Sequence, residues 1–188
     1  MPGPLEGIRV VELGFWVAGP GATGVMADWG ADVIKIEPPD GDPFRGVFLN
    51  AAGLDVPWNA PFELDNRGKR SIGLNLQQQD GRAVARRLLA AADVFVSNLR
   101  PQGLRKCGLS YEEVQPLNPG LVYCHVSGYG VSGDDSDRPA YDVAAFWSRA
   151  GIAASLVPAG AEPPQQRGGM GDHSTALAAV GAVCAALV

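Results

Sequence analysis

Hydrophobic and polar positions follow two different periods along this chain, and the combination predicts an α/β fold. Short runs rich in β-branched residues predict strands at 8–13, 32–36, 71–76, 93–97 and 121–127. Helical patterns lie between them, and 80–92 is the clearest because Val84, Leu88 and Leu89 fall on one face. Strands that alternate with helices predict parallel βαβ units. We therefore expect an open, parallel, Rossmann-like sheet flanked by helices.

Other segments are predicted from their capping and turn residues. A helical pattern at 20–29 is stopped by Gly30, and Ser110 with Glu113 forms a capping box that opens a short helix. A further helical piece is expected at 141–150. Residues 38–70 are rich in Pro, Gly and Asn, which predicts a long loop of functional or mobile character.

Length and composition exclude several classes of protein. The chain has 188 residues and a net charge of −5, with no Lys/Arg-rich block, so we expect no nucleic-acid partner. It has three cysteines, two histidines and no C-x-x-C motif, so no metal site is expected. Neither a secretory signal nor a run of eighteen apolar residues occurs, which favours a cytoplasmic chain without a membrane partner.

The last sixteen residues form an unusual segment. Residues 173–188 contain no Asp, Glu, Lys or Arg, and they predict a helix that is apolar on all sides. Little of the chain follows to bury such a helix, so either another chain covers it or the sequence is cut from a longer protein. We favour the second interpretation, with one domain over 1–172 and the start of a connecting helix over 173–188.

Residues 19–24 match the G-x-G-x-x-G pattern of dinucleotide-binding folds. Two details disfavour NAD. Phe15, Trp16, Val17 and Ala18 intervene between the strand and the first glycine of the pattern, and Pro20 lacks an N–H group that could bind phosphate. The favoured alternative is a helix start with Pro20 at its first position and glycines that allow close packing.

Two further motifs lie where ligands bind in such sheets, beyond the carboxyl ends of the strands. Arg100, Arg105 and Lys106 place three cations in seven residues, which suits either a phosphate site or a solvated loop. Asp172 follows a glycine-rich stretch. Taken alone it predicts a helix N-cap, but its carboxylate could also attack an activated acyl group, with adjacent N–H groups stabilising an oxyanion. His125, inside an apolar strand, is expected to be a satisfied core residue.

As a whole, the chain resembles the N-terminal half of the family III CoA-transferases, a superfamily that includes α-methylacyl-CoA racemase. The resembling segments, in the family's order, are LEGIRVVELG, AGPGATGVMADWGADVIKIEPPDGDPFR, NRGKRSIGLNL, SNLRPQGLRKCGLS, NPGLVYCHVSGYG, RPAYDVAAF and GMGDHSTAL. The resemblance implies that a small domain is absent from this chain and that the complete protein forms an interlocked homodimer.

The resemblance also implies a reaction and a site. Asp172 is the implied nucleophile of an acyl-CoA:carboxylate CoA-transferase that passes through an enzyme-bound CoA thioester, and the fragment alone is expected to have little activity. The implied partners are an acyl-CoA and a carboxylic acid acceptor. The residues implied to bind coenzyme A are Phe15, Val17, Ala18, Leu74, Asn98, Leu99, Arg100, Lys106 and Tyr141.

Three positions depart from patterns within the superfamily. Val17 stands where formyl-CoA transferases have Gln, and Pro38 replaces a basic residue that commonly contacts CoA. Tyr141 stands where the racemases carry a catalytic His, which favours a transferase over a racemase. A racemase-type isomerase and a non-catalytic CoA-binding fragment remain the alternatives.

Overall fold

The computed structural model describes residues 2–47 and 58–188, and these form a parallel five-stranded sheet with helices on both faces. The strands are β1 (Arg9–Leu13), β2 (Asp32–Glu37), β3 (Arg70–Gly73), β4 (Val94–Ser97) and β5 (Val122–His125). Their order across the sheet is β3-β2-β1-β4-β5. The predicted α/β class and the parallel, Rossmann-like sheet are confirmed.

The helices connect successive strands or follow the last one. In chain order they are α1 (Ala18–Asp28), a 3₁₀ turn (Pro43–Gly46), α2 (Ala60–Asn66), α3 (Gln79–Ala90), α4 (Pro101–Cys107), α5 (Tyr111–Val114), a π-helix (Val143–Arg149), α6 (Ile152–Leu156) and α7 (Met170–Leu187).

The interpretation of residues 38–70 as one long loop is wrong for its two ends. The 3₁₀ turn and α2 lie within this range, while residues 48–57 fall outside the described part of the chain. Helix α2 forms because the Asn59 side chain accepts a hydrogen bond from the Phe62 N–H, Pro61 suits the first turn, and the Phe62 ring is buried. Helix α4 was likewise not predicted, although the capping box of α5 is confirmed.

Each face of the sheet has its own hydrophobic layer, because neighbouring strand residues point to opposite faces. Val10 packs with α1 and α7, whereas Val11 packs with α3, α4 and α5. The first layer includes Ala22, Met26, Ala176, Val180 and Val183; the second includes Ile36, Leu89, Phe95, Leu104 and Leu109.

The glycine motif of residues 19–24 lies inside α1, as the packing interpretation predicts. A Cβ on Gly24 would lie 2.8 Å from the Asp65 carbonyl oxygen, and one on Gly21 would lie 3.3 Å from the Ala176 Cβ. These glycines therefore let α2 and α7 approach α1 closely. Helix α1 begins at Ala18, so Pro20 is its third residue and not its first.

Little of the chain follows the terminal helix, but the segments that precede it bury one face of α7. Ala176, Val180 and Val183 are buried against α1 and the sheet, whereas Leu177 stays 61% exposed. The helix also begins at Met170, before the proposed boundary at 172/173. Within residues 2–47 and 58–188, α7 has the length and apolar composition to cross a membrane, criteria that core helices also satisfy.

Candidate active site

The site lies where the strand order reverses, at the carboxyl ends of β1 and β4. Ligands bind at this position in open α/β sheets because the loops after adjacent strands diverge there. The Asn98 side chain joins the two loops: its Oδ1 accepts a hydrogen bond from the Phe15 N–H at 2.9 Å, and its Nδ2 donates to the Phe15 carbonyl at 2.7 Å. The side-chain amide of Asn98 thus holds the backbone that leads into α1.

Trp16 has an unusual backbone conformation in this loop. Its φ of 66° is the one positive value at a non-glycine residue in the described chain, and a large L-residue is strained there. The Trp16 ring lies 5.7 Å from the Phe44 ring and 5.9 Å from the Tyr141 ring, the latter edge-on. Trp16 and Tyr141 both line a cavity at this end of the sheet, where their rings form an aromatic wall.

Asp172 lies in the first turn of α7 and does not cap it. The cap is Gly169, whose φ of 80° gives the left-handed conformation that glycine tolerates. Within residues 2–47 and 58–188, no hydrogen bond to the Asp172 carboxylate is formed. The simple N-cap interpretation is therefore wrong.

The surroundings of Asp172 favour the protonated carboxyl group. Burial, followed by the negative charge of Asp142, raises its pKa to about 6, and the negative charge of Asp65 acts in the same direction. His173 opposes these effects. Near neutral pH, Asp172 is therefore ionised but poorly solvated, which suits an attacking carboxylate.

Asp142 also holds the turn that carries Asp172. Both of its carboxylate oxygens lie 3.1 Å from the backbone nitrogen of Gly171. A Cβ at Gly171 would overlap the Phe146 ring and the Asp142 carboxylate, so glycine is needed there for packing within the chain. Gly171 also lines a cavity next to Asp172.

Two adjacent N–H groups are also unavailable as oxyanion donors. The N–H of Gly171 donates to Asp142, and that of His173 donates to the Gly169 carbonyl at 2.9 Å. The prediction that the neighbours of Asp172 stabilise an oxyanion is thus wrong for these two groups. The positive end of the α7 dipole remains close to the site.

Eight of the residues implied by the family resemblance meet around one cavity of about 410 Å³. They are Phe15, Val17, Ala18, Asn98, Leu99, Arg100, Tyr141 and Asp172. A second cavity of about 260 Å³ shares several of these residues, Asp172 among them, and extends towards Phe146 and Thr175. The fold thus brings the implied nucleophile and most of the implied CoA contacts to one place.

Leu74 and Lys106 lie outside the lining of both cavities. Leu74 packs on the hydrophobic layer formed with α3, α4 and α5, and its N–H donates to the Glu37 carbonyl. Lys106 is exposed in the last turn of α4. Their role in binding CoA stays a prediction.

The three predicted cations have different surroundings. Arg105 pairs with Asp137 at 3.0 Å, whereas Arg100 lines both cavities and donates to the Asp137 carbonyl. Arg100 is therefore the cation best placed for a phosphate. His125 is part-buried, and its Nε2 lies 2.6 Å from the Leu99 carbonyl oxygen, which confirms the expectation of a satisfied residue.

Charged residues are buried behind the site. Glu12 and Lys35, neighbours in the β1–β2 register, pair at 2.7 Å, and Lys69 contacts the other Glu12 oxygen at 2.8 Å. Burial alone would raise the pKa of Glu12, but Lys69 and Lys35 together lower it. Burial lowers the pKa of Lys69 to about 8, against the attraction of Glu12.

Sequence reasoning missed Asp65 and the electrostatic role of Asp142. Asp65 is buried in α2 and lies 2.9 Å from the His173 Nε2. No local signal could identify it, because its partner is 108 residues away. Within the described ranges, no group of three or more His, Cys, Asp or Glu side chains could hold a metal ion.

Comparison with known proteins gives one consistent result. Residues 5–188 match the family model described as CoA-transferase family III. The (R)-2-hydroxy-4-methylpentanoate CoA-transferase of Clostridioides difficile is 39% identical over 186 residues, which cover 97% of this chain and 46% of that protein. The succinyl-CoA:glutarate CoA-transferase of Homo sapiens is 36% identical over 98% of this chain and 42% of its own length.

Solved structures agree with these relatives. A CAIB/BAIF family protein from Brucella suis superposes with a TM-score of 0.87 at 38% identity, covering 100% of this chain and 50% of that one. The chain therefore spans about half the length of the relatives it matches.

Proposed function

The chain belongs to CoA-transferase family III, and on this basis we propose that it supplies the CoA-binding part and the nucleophile, Asp172, of an acyl-CoA:carboxylate CoA-transferase. The observation that carries the proposal is the cavity that Asp172 shares with residues 15–18, Asn98, Leu99, Arg100 and Tyr141. A carboxylate with a raised pKa next to a cation and an aromatic wall suits a thioester whose CoA portion carries phosphates.

The proposed reaction has two equivalent halves. The Asp172 carboxylate attacks the carbonyl carbon of the donor thioester and the C–S bond breaks. The products of this step are free CoA thiolate and an aspartyl–acyl anhydride. The thiolate attacks the Asp172 carbonyl carbon, which gives an aspartyl–CoA thioester and frees the donor carboxylate. The acceptor carboxylate then attacks that thioester, which breaks its C–S bond and gives an aspartyl–acceptor anhydride. The released thiolate attacks the acceptor carbonyl of the anhydride, forms the new acyl-CoA and expels the Asp172 carboxylate. Asp172 is regenerated, and covalent catalysis divides one exchange into easier steps.

The described residues have separate roles in this scheme. Arg100 interacts with a CoA phosphate at the cavity rim, because a guanidinium forms charge-assisted hydrogen bonds with phosphate oxygens. Trp16 and Tyr141 pack against the uncharged part of the thioester. Asn98 acts indirectly, since it holds Phe15 and hence the loop in front of Asp172.

The wider assignments belong to the complete protein. We expect a cytoplasmic homodimer, with the exposed side of α7 covered by the remainder of the protein or by a second copy. The relatives named above act on a hydroxy acid and on dicarboxylates according to their names. For this chain we propose a carboxylic acid acceptor without choosing among these classes.

The decisive experiment traps the enzyme-bound acyl intermediate. The chain is incubated with succinyl-CoA or acetyl-CoA, then with hydroxylamine or borohydride, and residue 172 is examined by mass spectrometry. We expect an acyl-CoA-dependent modification of Asp172, absent in Asp172→Asn and retained in Asp32→Asn, which alters an exposed carboxylate paired with Arg70.

Other outcomes would favour the alternatives. Exchange of the α-proton of the acyl group with deuterated solvent, without an adduct, would favour a racemase-type isomerase. A thermal shift with CoA but no adduct and no exchange would favour a non-catalytic CoA-binding fragment. A thermal shift with NAD in place of CoA would contradict the proposed ligand.

A further inference from the structure

The ammonium group of Lys35 is buried behind the candidate site and joins three segments of the chain. The Lys35 side chain is 1% exposed. Its Nζ donates to Glu12 Oε1 and to the Gly14 carbonyl, each at 2.7 Å. Asp42 Oδ2 lies 3.0 Å away, in an ion pair without hydrogen-bond geometry. Lys35, in β2, therefore connects β1, the loop that follows β1 and the segment before the 3₁₀ turn.

The contact with Gly14 fixes the backbone shortly before Trp16. Lys35 holds the Gly14 carbonyl. The Asn98 side chain holds both the N–H and the carbonyl of Phe15. A Cβ at Gly14 would lie 3.1 Å from Asn98 Oδ1, so the loop is closely packed where it begins. Trp16 follows directly with its φ of 66°, and a strained conformation of this kind persists where the surrounding structure fixes the adjoining backbone.

The contact with Asp42 leads to the ring of the same tryptophan. Asp42 Oδ1 accepts a hydrogen bond from the Phe44 N–H at 2.9 Å, and the Asp42 N–H donates to Glu37 Oε2 at 2.7 Å. The Phe44 side chain is buried, and its ring lies 5.7 Å from that of Trp16. Lys35 thus supports Trp16 by two routes, through the preceding backbone and through the Phe44 ring.

Lys69 is a second buried ammonium in the same cluster, but its contacts lead elsewhere. Its side chain is 2% exposed, and its Nζ lies 2.8 Å from Glu12 Oε2 and 2.8 Å from the Pro20 carbonyl in α1. Within residues 2–47 and 58–188, Lys69 forms no hydrogen bond or ion pair with residues 14–17 or with Asp42. Lys35 and Lys69 therefore share one carboxylate, and only Lys35 is tied to the loop.

We propose that Lys35 is a positioning residue for the transferase: it anchors the two segments that keep Trp16 in its left-handed conformation, and Trp16 forms part of the wall of the cavity that Asp172 shares. This role rests on the proposed function, because it concerns the wall that the thioester contacts. In the described part of the chain, Lys35 lines neither cavity, so it acts through Trp16 and not on the substrate.

The test follows the Trp16 ring and needs no turnover. The full chain is labelled with fluorotryptophan, and the ¹⁹F resonance of Trp16 is identified by its loss in Trp16→Phe. Lys35→Met removes the ammonium and keeps an apolar chain of similar length. The Trp16 resonance of this variant should broaden or split, because the loop has lost its anchor. Lys69→Met, which also removes a buried ammonium paired with Glu12, should keep a single narrow Trp16 resonance.

Isothermal titration with CoA connects the Trp16 ring to binding. Lys35→Met should raise the Kd for CoA about tenfold, because the loosened cavity wall must be ordered again when the ligand binds. Lys69→Met should keep a Kd close to that of the native chain. A single narrow Trp16 resonance in Lys35→Met, or equal changes of resonance and Kd in the two lysine variants, would overturn the proposal.

A second variant covers the case in which Lys35→Met does not fold. Lys35→Met leaves the buried Asp42 carboxylate without the Lys35 cation, which costs stability. Lys35→Met combined with Asp42→Asn removes that charge, and asparagine still offers an acceptor to the Phe44 N–H. The Trp16 resonance should broaden or split in the double variant too, and a single narrow resonance there would also overturn the proposal.

The ligand-free ¹⁹F spectra separate this proposal from the proposed function. If the native chain neither binds CoA nor forms an adduct at Asp172, the transferase proposal fails, whereas the spectra still decide whether Lys35 holds Trp16. If the adduct forms and Lys35→Met keeps a native Trp16 resonance, the transferase proposal stands and the positioning role of Lys35 fails.

Discussion

Asp142 accepts a hydrogen bond from the backbone N–H of Gly171, at 3.1 Å from each of its carboxylate oxygens. Gly171 immediately precedes Asp172, so this one contact fixes the first turn of α7 and brings a second negative charge towards the Asp172 carboxylate. The two effects have opposite consequences, because the hydrogen bond orders the site while the charge raises the pKa of Asp172.

Asp142→Asn separates these two effects. Asparagine keeps an oxygen that accepts from the Gly171 N–H but removes the charge, so the pKa of Asp172 should fall below its value of about 6. The acid limb of acyl-CoA-dependent adduct formation should therefore move to lower pH. A limb that stays in place, or moves to higher pH, would show that Asp142 does not act on Asp172 through its charge.

Asp172→Asn should stabilise the chain near neutral pH. The pKa of Asp172 is about 6 in the folded chain, against an ordinary value of 3.8, so ionisation of this carboxyl group destabilises the fold. The difference between the two pKa values is equivalent to about 3 kcal/mol. Solvent reaches this partly buried group, so we expect a gain of about 1–2 kcal/mol at pH 7.5. Below the ordinary pKa both states are protonated, and the gain should vanish by about pH 4.

Denaturant unfolding at several pH values measures this gain. Asp32→Asn is the matched control, because it removes an exposed carboxylate paired with Arg70 and should give no gain that grows from pH 4 to 7.5. Equal stabilities of Asp172→Asn and the native chain at pH 7.5 would contradict the raised pKa.

The sequence predicted the strands better than the contacts between distant segments. The pattern predicts β2 at 32–36, and the strand spans Asp32–Glu37. The agreement is close because a run of β-branched residues is a local signal. Helix α2 was missed because Pro61 and Asn59 resemble loop residues until Phe62 is known to be buried. The sequence does not predict the Glu12–Lys35 ion pair. A single charged residue in an apolar run only weakens the strand pattern and does not indicate its partner on another strand.

The candidate site shows the same limit. The family resemblance directed attention to Phe15 and Asn98, whereas Asp172 was already a candidate from its glycine-rich context. The fold brings all three residues to one cavity. Resemblance could not show that the Asn98 amide is engaged by the Phe15 backbone, or that Asp65 holds His173. Such contacts join segments that are far apart in the sequence and depend on how the helices pack. The pattern of residues within one segment therefore does not predict them.

Glu12→Gln should strongly destabilise the fold. Glu12 is fully buried, and its two oxygens contact Lys35 and Lys69, so the neutral amide would leave the buried Lys69 without its ion-pair partner and Lys35 with Asp42 alone. Breaking a buried ion pair in this way costs about 3–5 kcal/mol. Glu6→Gln, at an exposed position near the N-terminus, should change the free energy of unfolding by less than about 0.5 kcal/mol. Similar stabilities for the two variants would contradict this account.

Arg100→Gln should weaken CoA binding more than Arg105→Gln. Arg100 lines both cavities, whereas the Arg105 guanidinium is already paired with Asp137. Loss of one charge-assisted hydrogen bond to phosphate, about 1.4 kcal/mol or more, corresponds to a Kd raised about tenfold. Isothermal titration with CoA measures this difference, and dephospho-CoA tests whether Arg100 acts on the 3′-phosphate. Equal losses in both variants would place the phosphates outside the cavity rim.

Two glycines of the α7 region should respond to alanine in opposite directions. Gly169 has a φ of 80°, and an added Cβ would lie 3.1 Å from the His173 ring. Gly169→Ala should therefore cost about 1–2 kcal/mol for the left-handed backbone, and more where the ring cannot move. Gly181 lies within α7 with no atom near its would-be Cβ, so Gly181→Ala should stabilise the chain by up to about 1 kcal/mol through helix propensity.

Chemical denaturation of the two variants measures how much the turn at Gly169 and the helix propensity of α7 each contribute to the free energy of unfolding. If Gly169→Ala is destabilised and also shifts the pKa of Asp172, the left-handed turn controls the surroundings of that carboxylate as well as the start of α7. If it is destabilised without that shift, the ring keeps its place and the left-handed turn serves only to begin α7. A stabilised Gly169→Ala would contradict the positive φ, because the lower entropy of the unfolded alanine chain does not offset the strain of a left-handed alanine.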